Sequence, residues 1–313
     1  MGDIILTSPV VRNVKNQLDS EIHFLVKKTF LDLVDHSPHI SKTHSLNPDI
    51  KHSISALQNE SFDLVIDLQK NRKSKAIVKS LGCESLSFDK LNVKKWLLVQ
   101  SGIDLLPDIH IVDRYFKSLE PIQIVNDNLG NELFISPNTT NSVQELNLPA
   151  EFIAIGMGAQ HKGKCLNQEQ LSFIIEEATL PIVLLGGKRE LELSRSIEKN
   201  SSKKIWNLTG KSSLLETAEI IRNSKITLSG DTGIMHMASA YKVPQISVWG
   251  CTSPKLGMFP YEAHEDSIIL EPIDHEKRPC AKLGNRCKYA PNWCIQSIDP
   301  NRIVMALDLI LKK

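Results

Sequence analysis

The sequence predicts an α/β protein of two domains, each built on a parallel β-sheet. The chain has 313 residues, and one hydrophobic core rarely serves more than about 250–300 residues, so two domains are expected. Short apolar runs alternate with helical patterns along most of the chain. Between residues 120 and 150 this alternation gives way to turn-forming residues, and we place the boundary near 140. The expected domains are residues 1–140 and 141–313.

The first domain is expected to open with a helix in the run ILTSPVVRNVK, capped near Ser8, with Pro9 in its first turn and apolar residues as far as Leu18 on one face. The strands that follow are expected at 22–26, 62–68 and 84–88, and the helices at 29–35, 49–59, 72–81, 90–101 and 110–119. Thr29 is a plausible cap for the helix at 29–35. A doubly wound domain normally begins with a strand, so we expect that about ten residues, one strand and its loop, precede Met1 in the native protein.

The second domain alternates more regularly. Its strands are expected at 152–156, 182–185, 204–208, 225–229 and 245–249, and its helices at 167–178, 188–199, 212–223, 234–241 and, within a terminal segment 300–313, at 301–311. Two of these helices begin with capping-box patterns, Asn167 with Gln170 and Ser213 with Glu216. Strands separated by helices indicate a parallel sheet covered on both faces.

The composition excludes several classes of protein. Hydrophobic residues make up 41% and charged residues 23% of the chain, as in ordinary globular proteins. A net charge of +1 provides no positive field to recruit nucleic acid. No apolar run approaches the roughly 20 residues of a membrane span, and no signal peptide is visible. A cytoplasmic protein with six reduced cysteines is the default expectation.

Residues 229–254 are the most informative stretch and read strand, tight turn, helix, strand. In a parallel sheet, ligands bind where strands end and helix N-termini direct N–H groups outward. Gly233 would let a phosphate approach the backbone, and the imidazole of His236 could reach the same anion. The residues expected at this end of the sheet are Asp231, Thr232, Gly233 and His236.

The run DTGIMHMASAYKVPQISVWGCTSP resembles the donor-site signature of glycosyltransferase family 9, the ADP-heptose:lipopolysaccharide heptosyltransferases. That family carries D-T-G-x-x-H-x-A-x-A, a short loop, a strand and G-x-T-x-P, and every position matches here, including Gly250, Thr252 and Pro254. The resemblance implies the GT-B type, in which two Rossmann-like domains face each other across a cleft. It also implies inverting, metal-independent transfer of heptose from ADP-heptose to a lipopolysaccharide-core-type acceptor, without a cofactor.

The resemblance also implies residues for the donor site. Lys164, in GMGAQHKGKCLNQEQL, takes the position of a family lysine that contacts the donor phosphates, although Cys165 replaces the usual arginine there. A solvated surface lysine remains the alternative, with Lys162 as a second candidate. The backbone N–H groups of Ala159 and Gln160 are offered to the same anion. Glu216 matches a family glutamate that binds the ribose, and a capping role is the alternative.

The base and the acceptor residues are implied by looser matches. Asp3 of Gly2-Asp3 matches the family's proposed base, while a carboxylate favouring the helix dipole is the alternative. Residues 67–73 resemble an acceptor segment in which Asn71, Arg72 and Lys73 would suit an anionic sugar or a phosphorylated lipid. A solvated basic helix start is an equal alternative. His110 matches a family histidine and is expected to be structural.

The three cysteines near the C-terminus, Cys280, Cys287 and Cys294, are spaced by seven residues. Zinc sites prefer pairs two to four residues apart, so free thiols, a disulfide and a structural metal all remain open. For a metal, the fourth ligand would be His275 or Cys251.

Two other functions remain open. One is a transferase that uses another nucleotide sugar, such as a UDP-hexose, and the other is an inactive nucleotide-sugar-binding paralogue. The expected partners are a nucleotide-sugar donor and a lipid-linked or oligosaccharide acceptor. Peripheral association with the cytoplasmic face of the inner membrane is a further expectation.

Overall fold

The computed structural model describes residues 1–273, 278–289 and 294–313. Contacts between Cα atoms divide the chain into two units. The first unit consists of residue 1 and residues 3–91 and 109–134, and the second of residue 2 and residues 92–108 and 135–313. The segment 92–108 therefore belongs with the second unit, although it precedes part of the first along the chain.

The helices and strands of the described ranges are as follows. The α-helices are α1 Gly2–Ile5, α2 Ser8–Leu18, α3 Asp32–Asp35, α4 Ile50–Gln58, α5 Arg72–Leu81, α6 Asn92–Ser101, α7 Ile111–Lys117, α8 Pro137–Gln144, α9 Gln168–Glu177, α10 Leu191–Asn200, α11 Leu214–Arg222, α12 Gly233–Ala240 and α13 Pro300–Leu311. The strands are β1 His23–Lys27, β2 Lys42–Leu46, β3 Leu64–Asp67, β4 Glu84–Ser87, β5 Ile153–Gly156, β6 Ile182–Leu185, β7 Ile205–Asn207, β8 Ile226–Gly230, β9 Gln245–Val248 and β10 Ile268–Leu270.

The first unit contains two parallel strand pairs, β1 with β2 and β3 with β4. Two segments of this unit, near its beginning and its end, are linked by Arg12 of α2. The Arg12 side chain is 8% exposed. The guanidinium bonds Asp127 at 2.7 Å and Glu132 at 2.8 Å, which fastens α2 to the segment that closes this unit. The Arg12 hydrogen bond is the main reason that the pKa of Asp127 falls to about 2.

The second unit is built on one parallel sheet with the strand order β10-β9-β8-β5-β6-β7. Ile153, Ala154 and Ile155 of β5 are fully buried, and every residue of β8 is buried, as expected for central parallel strands with helices on both faces. The chain runs outward from β5 to β7 and then returns to the other side of β5 with β8. This is the doubly wound order, with its switch point between β5 and β8.

Local sequence signals were confirmed at some helix starts and wrong at others. Asn167 Oδ1 accepts from Gln170 N at 2.8 Å, and the Ser213 hydroxyl accepts from Glu216 N at 3.2 Å, so both capping boxes are present. Thr29 instead lies in a 3₁₀ turn, and α3 begins after Leu31 without a side-chain cap. The Ser8 hydroxyl donates to the Ile5 carbonyl at 2.7 Å, so it does not cap α2.

Four of the helices and strands given above were not predicted from the sequence: α1, β2, α8 and β10. β2 reads KTHSL and lacks an apolar pattern, and α8 lies in the turn-rich region around residue 140. None of the helices in the described ranges is long and apolar enough to span a bilayer.

Candidate active site

The switch point of the second unit gathers most of the residues expected at the donor site. β5 and β8 pair side by side, with Gly156 opposite Ser229 at their carboxyl ends. The chain leaves β5 into residues 157–166 and leaves β8 into the turn that starts α12. Crevices at such switch points are where doubly wound sheets bind ligands.

An ion pair joins these two loops. Lys164 Nζ lies 2.6 Å from Asp231 Oδ2, and the side chains are 18% and 11% exposed, respectively. The loops also meet through their backbones, because a Cβ at Gly230 would overlap the Lys164 carbonyl oxygen. Lys164 is thus held by its partner and its backbone, unlike a freely solvated surface lysine. The exposed Lys162 belongs to the same 3₁₀ segment.

Buried polar atoms without hydrogen-bond partners lie at this turn and in the loop after β9. In the described part of the chain, Thr232 Oγ1, His236 Nδ1 and Thr252 Oγ1 are buried and unpartnered. Buried polar groups are nearly always satisfied, so the two such atoms at the start of α12, Thr232 Oγ1 and His236 Nδ1, suggest a polar ligand. Burial first, and the charge of Lys164 second, lower the pKa of His236 to about 3. The imidazole is therefore neutral at pH 7, and the positive charge here comes from Lys164.

Arg278 was missed by sequence reasoning. Its guanidinium donates to the carbonyl oxygens of Gly250 at 2.6 Å, Thr252 at 2.6 Å and Trp249 at 2.9 Å, and it lies 2.9 Å from Glu271 Oε1. These bonds fix the loop that follows β9, which carries the G-x-T-x-P residues. Nothing around position 278 in the sequence signals this role, because its partners are carbonyl groups about thirty residues away.

The other residues expected at the donor site occupy varied environments. Ala159 and the exposed Gln160 lie in the loop after β5. The backbone N–H of Ala159 faces the Cys165 thiol, whose pKa is raised chiefly by burial. Glu216 begins α11, where its carboxylate accepts from Ser213 N at 2.7 Å. The structural alternative for Glu216 is therefore present, and a carboxylate with two oxygens retains capacity for a second partner.

Asp3 belongs to the first unit, whereas Lys164 and Asp231 belong to the second. It occupies the first turn of α1 and is exposed. Its charge also acts on the buried Tyr115, whose pKa is raised first by burial and then by Asp3. The carboxylate is thus exposed and open to a substrate.

The segment expected to bind the acceptor is folded around Asp67, which is 8% exposed at the end of β3. Its carboxylate accepts from Lys70 N at 2.7 Å and from the Ser74 hydroxyl at 2.8 Å. Asn71 caps α5 by accepting from the backbone N–H groups of Lys73 and Ser74. The side chains of Arg72 and Lys73 are exposed. Asn71 therefore stabilises the start of α5, while the charged side chains of Arg72 and Lys73 face solvent.

Two further predictions concern histidine and cysteine. His110 caps α7, with Nδ1 accepting from Val112 N at 3.1 Å, as the structural interpretation expected. Cys280, Cys287 and Cys294 meet Cys251, one of the two expected fourth ligands, so that the four sulfurs lie within 4.8 Å of one another. His275, the other expected ligand, lies outside the described residues.

Comparison with known proteins identifies the family. The model of glycosyltransferase family 9 (heptosyltransferase) matches residues 51–289. Lipopolysaccharide heptosyltransferase 3 of Escherichia coli strain K12 is 23% identical over 278 residues, covering 80% of this chain and 80% of that protein.

Solved structures share the fold. The glycosyl transferase family 9 protein of Veillonella parvula matches with a TM-score of 0.81 at 19% identity, covering 100% of this chain and 95% of that one. The E. coli ADP-heptose lps heptosyltransferase II matches with a TM-score of 0.75 at 17% identity, covering 99% of this chain and 96% of that one. The expected fold class, α/β with Rossmann-like domains of the GT-B type, is confirmed. Because the family model spans well over half of the sequence, the chain belongs to glycosyltransferase family 9 and is a glycosyltransferase.

Proposed function

We propose that this protein is an inverting, metal-independent heptosyltransferase that moves heptose from ADP-heptose to a lipopolysaccharide-core-type acceptor. The observation that carries the proposal is the Lys164–Asp231 pair at the switch point, beside the unpartnered Thr232 and His236. The name of the E. coli relative, a lipopolysaccharide heptosyltransferase, supports the choice of sugar and acceptor.

The donor diphosphate binds at the N-terminus of α12. Lys164 supplies positive charge, and the N–H groups around Gly233 supply directed donors, so the leaving ADP is stabilised without a catalytic metal. Asp231 keeps the Lys164 ammonium at this position. His236, being neutral, contributes a hydrogen bond. The N–H groups of Ala159 and Gln160 add to this anion site, and Glu216 binds the ribose hydroxyls while retaining its cap.

The acceptor hydroxyl is activated by Asp3. The carboxylate takes the hydroxyl proton as the oxygen attacks the anomeric carbon from the side opposite ADP. The bond from the anomeric carbon to the diphosphate oxygen breaks, and ADP leaves with the electron pair. This order of events inverts the configuration of the sugar.

The acceptor side is expected to recognise negative charge. The exposed Arg72 and Lys73 bind anionic groups of the acceptor, with Asn71 holding the start of α5 in place. Such an acceptor places the enzyme at the cytoplasmic face of the inner membrane as a peripheral protein.

The test is ADP release with ADP-heptose and a heptose-free core acceptor, alongside calorimetric ADP binding. Asp3→Asn should abolish turnover with ADP affinity retained. Lys164→Ala should weaken ADP binding about 10–100-fold, since charge-assisted bonds contribute roughly 1.5–3 kcal/mol. Lys162→Ala, an exposed lysine of the same loop, is the matched control and should bind ADP normally. Adding Mg²⁺ should not change turnover.

Several outcomes would redirect the proposal. Normal turnover of Asp3→Asn removes Asp3 as the base. Turnover with a UDP-hexose but not with ADP-heptose identifies a different donor. ADP binding without turnover on any core acceptor favours the inactive paralogue.

A further inference from the structure

Four cysteine sulfurs, none of which the proposed transfer uses, converge in the second unit. The Sγ atoms of Cys251, Cys280, Cys287 and Cys294 all lie within 4.8 Å of one another. Cys280 Sγ is 3.2 Å and Cys287 Sγ 3.4 Å from Cys294 Sγ. These separations exceed the about 2.05 Å of a disulfide bond. They are close to the about 3.8 Å edge of a tetrahedron whose metal–sulfur bonds are about 2.3 Å.

The cluster is built by three separate chain segments whose backbones are tied together. Cys251 follows β9, and its carbonyl oxygen accepts from Cys280 N at 2.8 Å. Cys294 opens a 3₁₀ segment that ends at Ser297. The buried Gln170 of α9 holds this segment by donating to the Ile295 carbonyl oxygen at 3.1 Å. The close approach of the sulfurs therefore follows from the fold of the unit, which brings together cysteines that the sequence separates.

Backbone N–H groups are directed at two of the sulfurs. The backbone N–H of Lys288 points to the Cys280 sulfur, and that of Cys294 to the Cys251 sulfur. Cys251 and Cys294 are fully buried, and Cys280 is 6% exposed. Cys287 is half-buried, which leaves a path for an ion to enter. Backbone N–H groups directed at sulfur are the outer-shell support that metal-bound ligands require.

We propose that these four cysteines form a tetrathiolate site for one tetrahedral transition-metal ion, Zn²⁺ or iron. Four sulfur ligands in this geometry select these soft-ligand metals over Mg²⁺ or Ca²⁺. A site closed by four protein ligands is structural, with no open position for a substrate. Binding deprotonates the thiols and releases protons to solvent, and no oxidation or reduction is involved.

The site also supports the loop that carries Lys164. Cys251 N donates to the Gly163 carbonyl oxygen at 2.9 Å, and a Cβ at Gly163 would lie 2.7 Å from Cys251 Sγ. On the other side, a Cβ at Gly284 would lie 2.9 Å from Lys164 Cγ. The metal site thus packs against the loop that carries Lys164 and supports its position. This positioning role, unlike metal binding itself, rests on the proposed function.

The first experiment measures metal content. The full chain, purified under reducing conditions without chelator, should contain one zinc or iron ion per molecule by elemental analysis. Cys280→Ser and Cys287→Ser should each lower that content severalfold. Cys83→Ser, which changes a half-buried cysteine of the first unit, should retain it. If the folded wild-type chain holds neither metal, even after anaerobic reconstitution with either ion, the site does not exist.

A second experiment covers the case in which a variant fails to fold. Co²⁺ added to metal-free wild-type protein should produce the visible absorption and the sulfur charge-transfer bands of tetrahedral thiolate coordination. Zn²⁺ should displace it. A count of two or four thiols in the denatured wild-type protein, in place of the six of the sequence, would indicate disulfides and refute the proposal.

Donor binding separates the two proposals. ADP should bind more weakly to the metal-free protein than to the loaded protein. A loaded site with no ADP affinity supports the metal and refutes the proposed donor site. Equal ADP affinity with and without metal refutes the positioning role of the cluster.

Discussion

The two units of this enzyme reach stability by different means. The second unit has a continuous six-stranded sheet whose central strands are fully buried, while the first has two separate pairs of strands that are mostly half-buried. In place of a wide sheet, the first unit relies on a polar clamp from Arg12 to Asp127 and Glu132. The comparison shows that most residues assigned to the donor site belong to the unit whose sheet is more deeply buried.

The largest expected effect on the free energy of unfolding comes from truncating an isoleucine in a strand of each unit. Ile155→Ala in β5 should destabilise the second unit by about 2–5 kcal/mol, because a fully buried side chain leaves a cavity. Ile66→Ala in β3 should cost the first unit roughly half as much, since Ile66 is half-buried. Urea unfolding, with hydrogen exchange assigning the change to each unit, measures both. Equal losses would contradict the distinction.

The second effect tests the polar clamp. Arg12→Ala should destabilise the first unit by about 2 kcal/mol, less than a fully buried ion pair, because both carboxylates reach solvent. Lys15→Ala is the matched control in the same helix. Its pair with Asp19 spans 3.9 Å with an exposed partner, so a loss below about 1 kcal/mol is expected. Similar losses of stability for the two variants would show that the Arg12 ion pairs stabilise the unit no more than an exposed surface pair does.

A third effect is the response of the clamp to pH. The Arg12 bond lowers the pKa of Asp127 from its usual 3.8 to about 2. The stabilisation, on the order of 1 kcal/mol after allowance for solvent screening, is therefore complete above about pH 4 and is lost as the pH falls through about 2. The stability difference between wild type and Asp127→Asn should shrink over this range. A difference that is constant from pH 6 to pH 2 would disprove the linkage.

Removing a helix cap should give the smallest loss of stability, and the loss should be equal in the two units. Asn167→Ala in the second unit and Asn71→Ala in the first each remove a capping box and should cost about 0.5–1 kcal/mol. Equality would show that the units differ in tertiary packing and not in local helix signals. A cost at Asn167 several times that at Asn71 would show that caps depend on the framework as well. Thermal unfolding monitored by circular dichroism measures both.

The same difference explains what the sequence could predict. Five of the six strands of the second unit lie in runs that were predicted, such as Ile182–Leu185, whereas the polar β2 of the first unit and the three-residue β10 of the second were not predicted. The signature around Asp231 predicted that this residue follows a strand of the sheet, and Lys164 was predicted from the separate segment GMGAQHKGKCLNQEQL. Their pairing could not be derived, because it depends on the close approach of two loops. The meeting of Cys251 with the C-terminal cysteines is a long-range contact of the same kind.

The order in which the chain visits the two units limits how the enzyme can be divided. Apart from residue 2, which alone among the first residues belongs to the second unit, the chain passes from one unit to the other at 91–92, 108–109 and 134–135. A fragment that begins at residue 135 would lack α6, whose Asn92 side chain and Val99 carbonyl accept hydrogen bonds from Lys282 and Lys288. Expressing the second unit alone therefore requires residues 92–108 to be grafted back through an artificial linker. For the same reason, swapping whole domains between relatives requires three junctions to be matched.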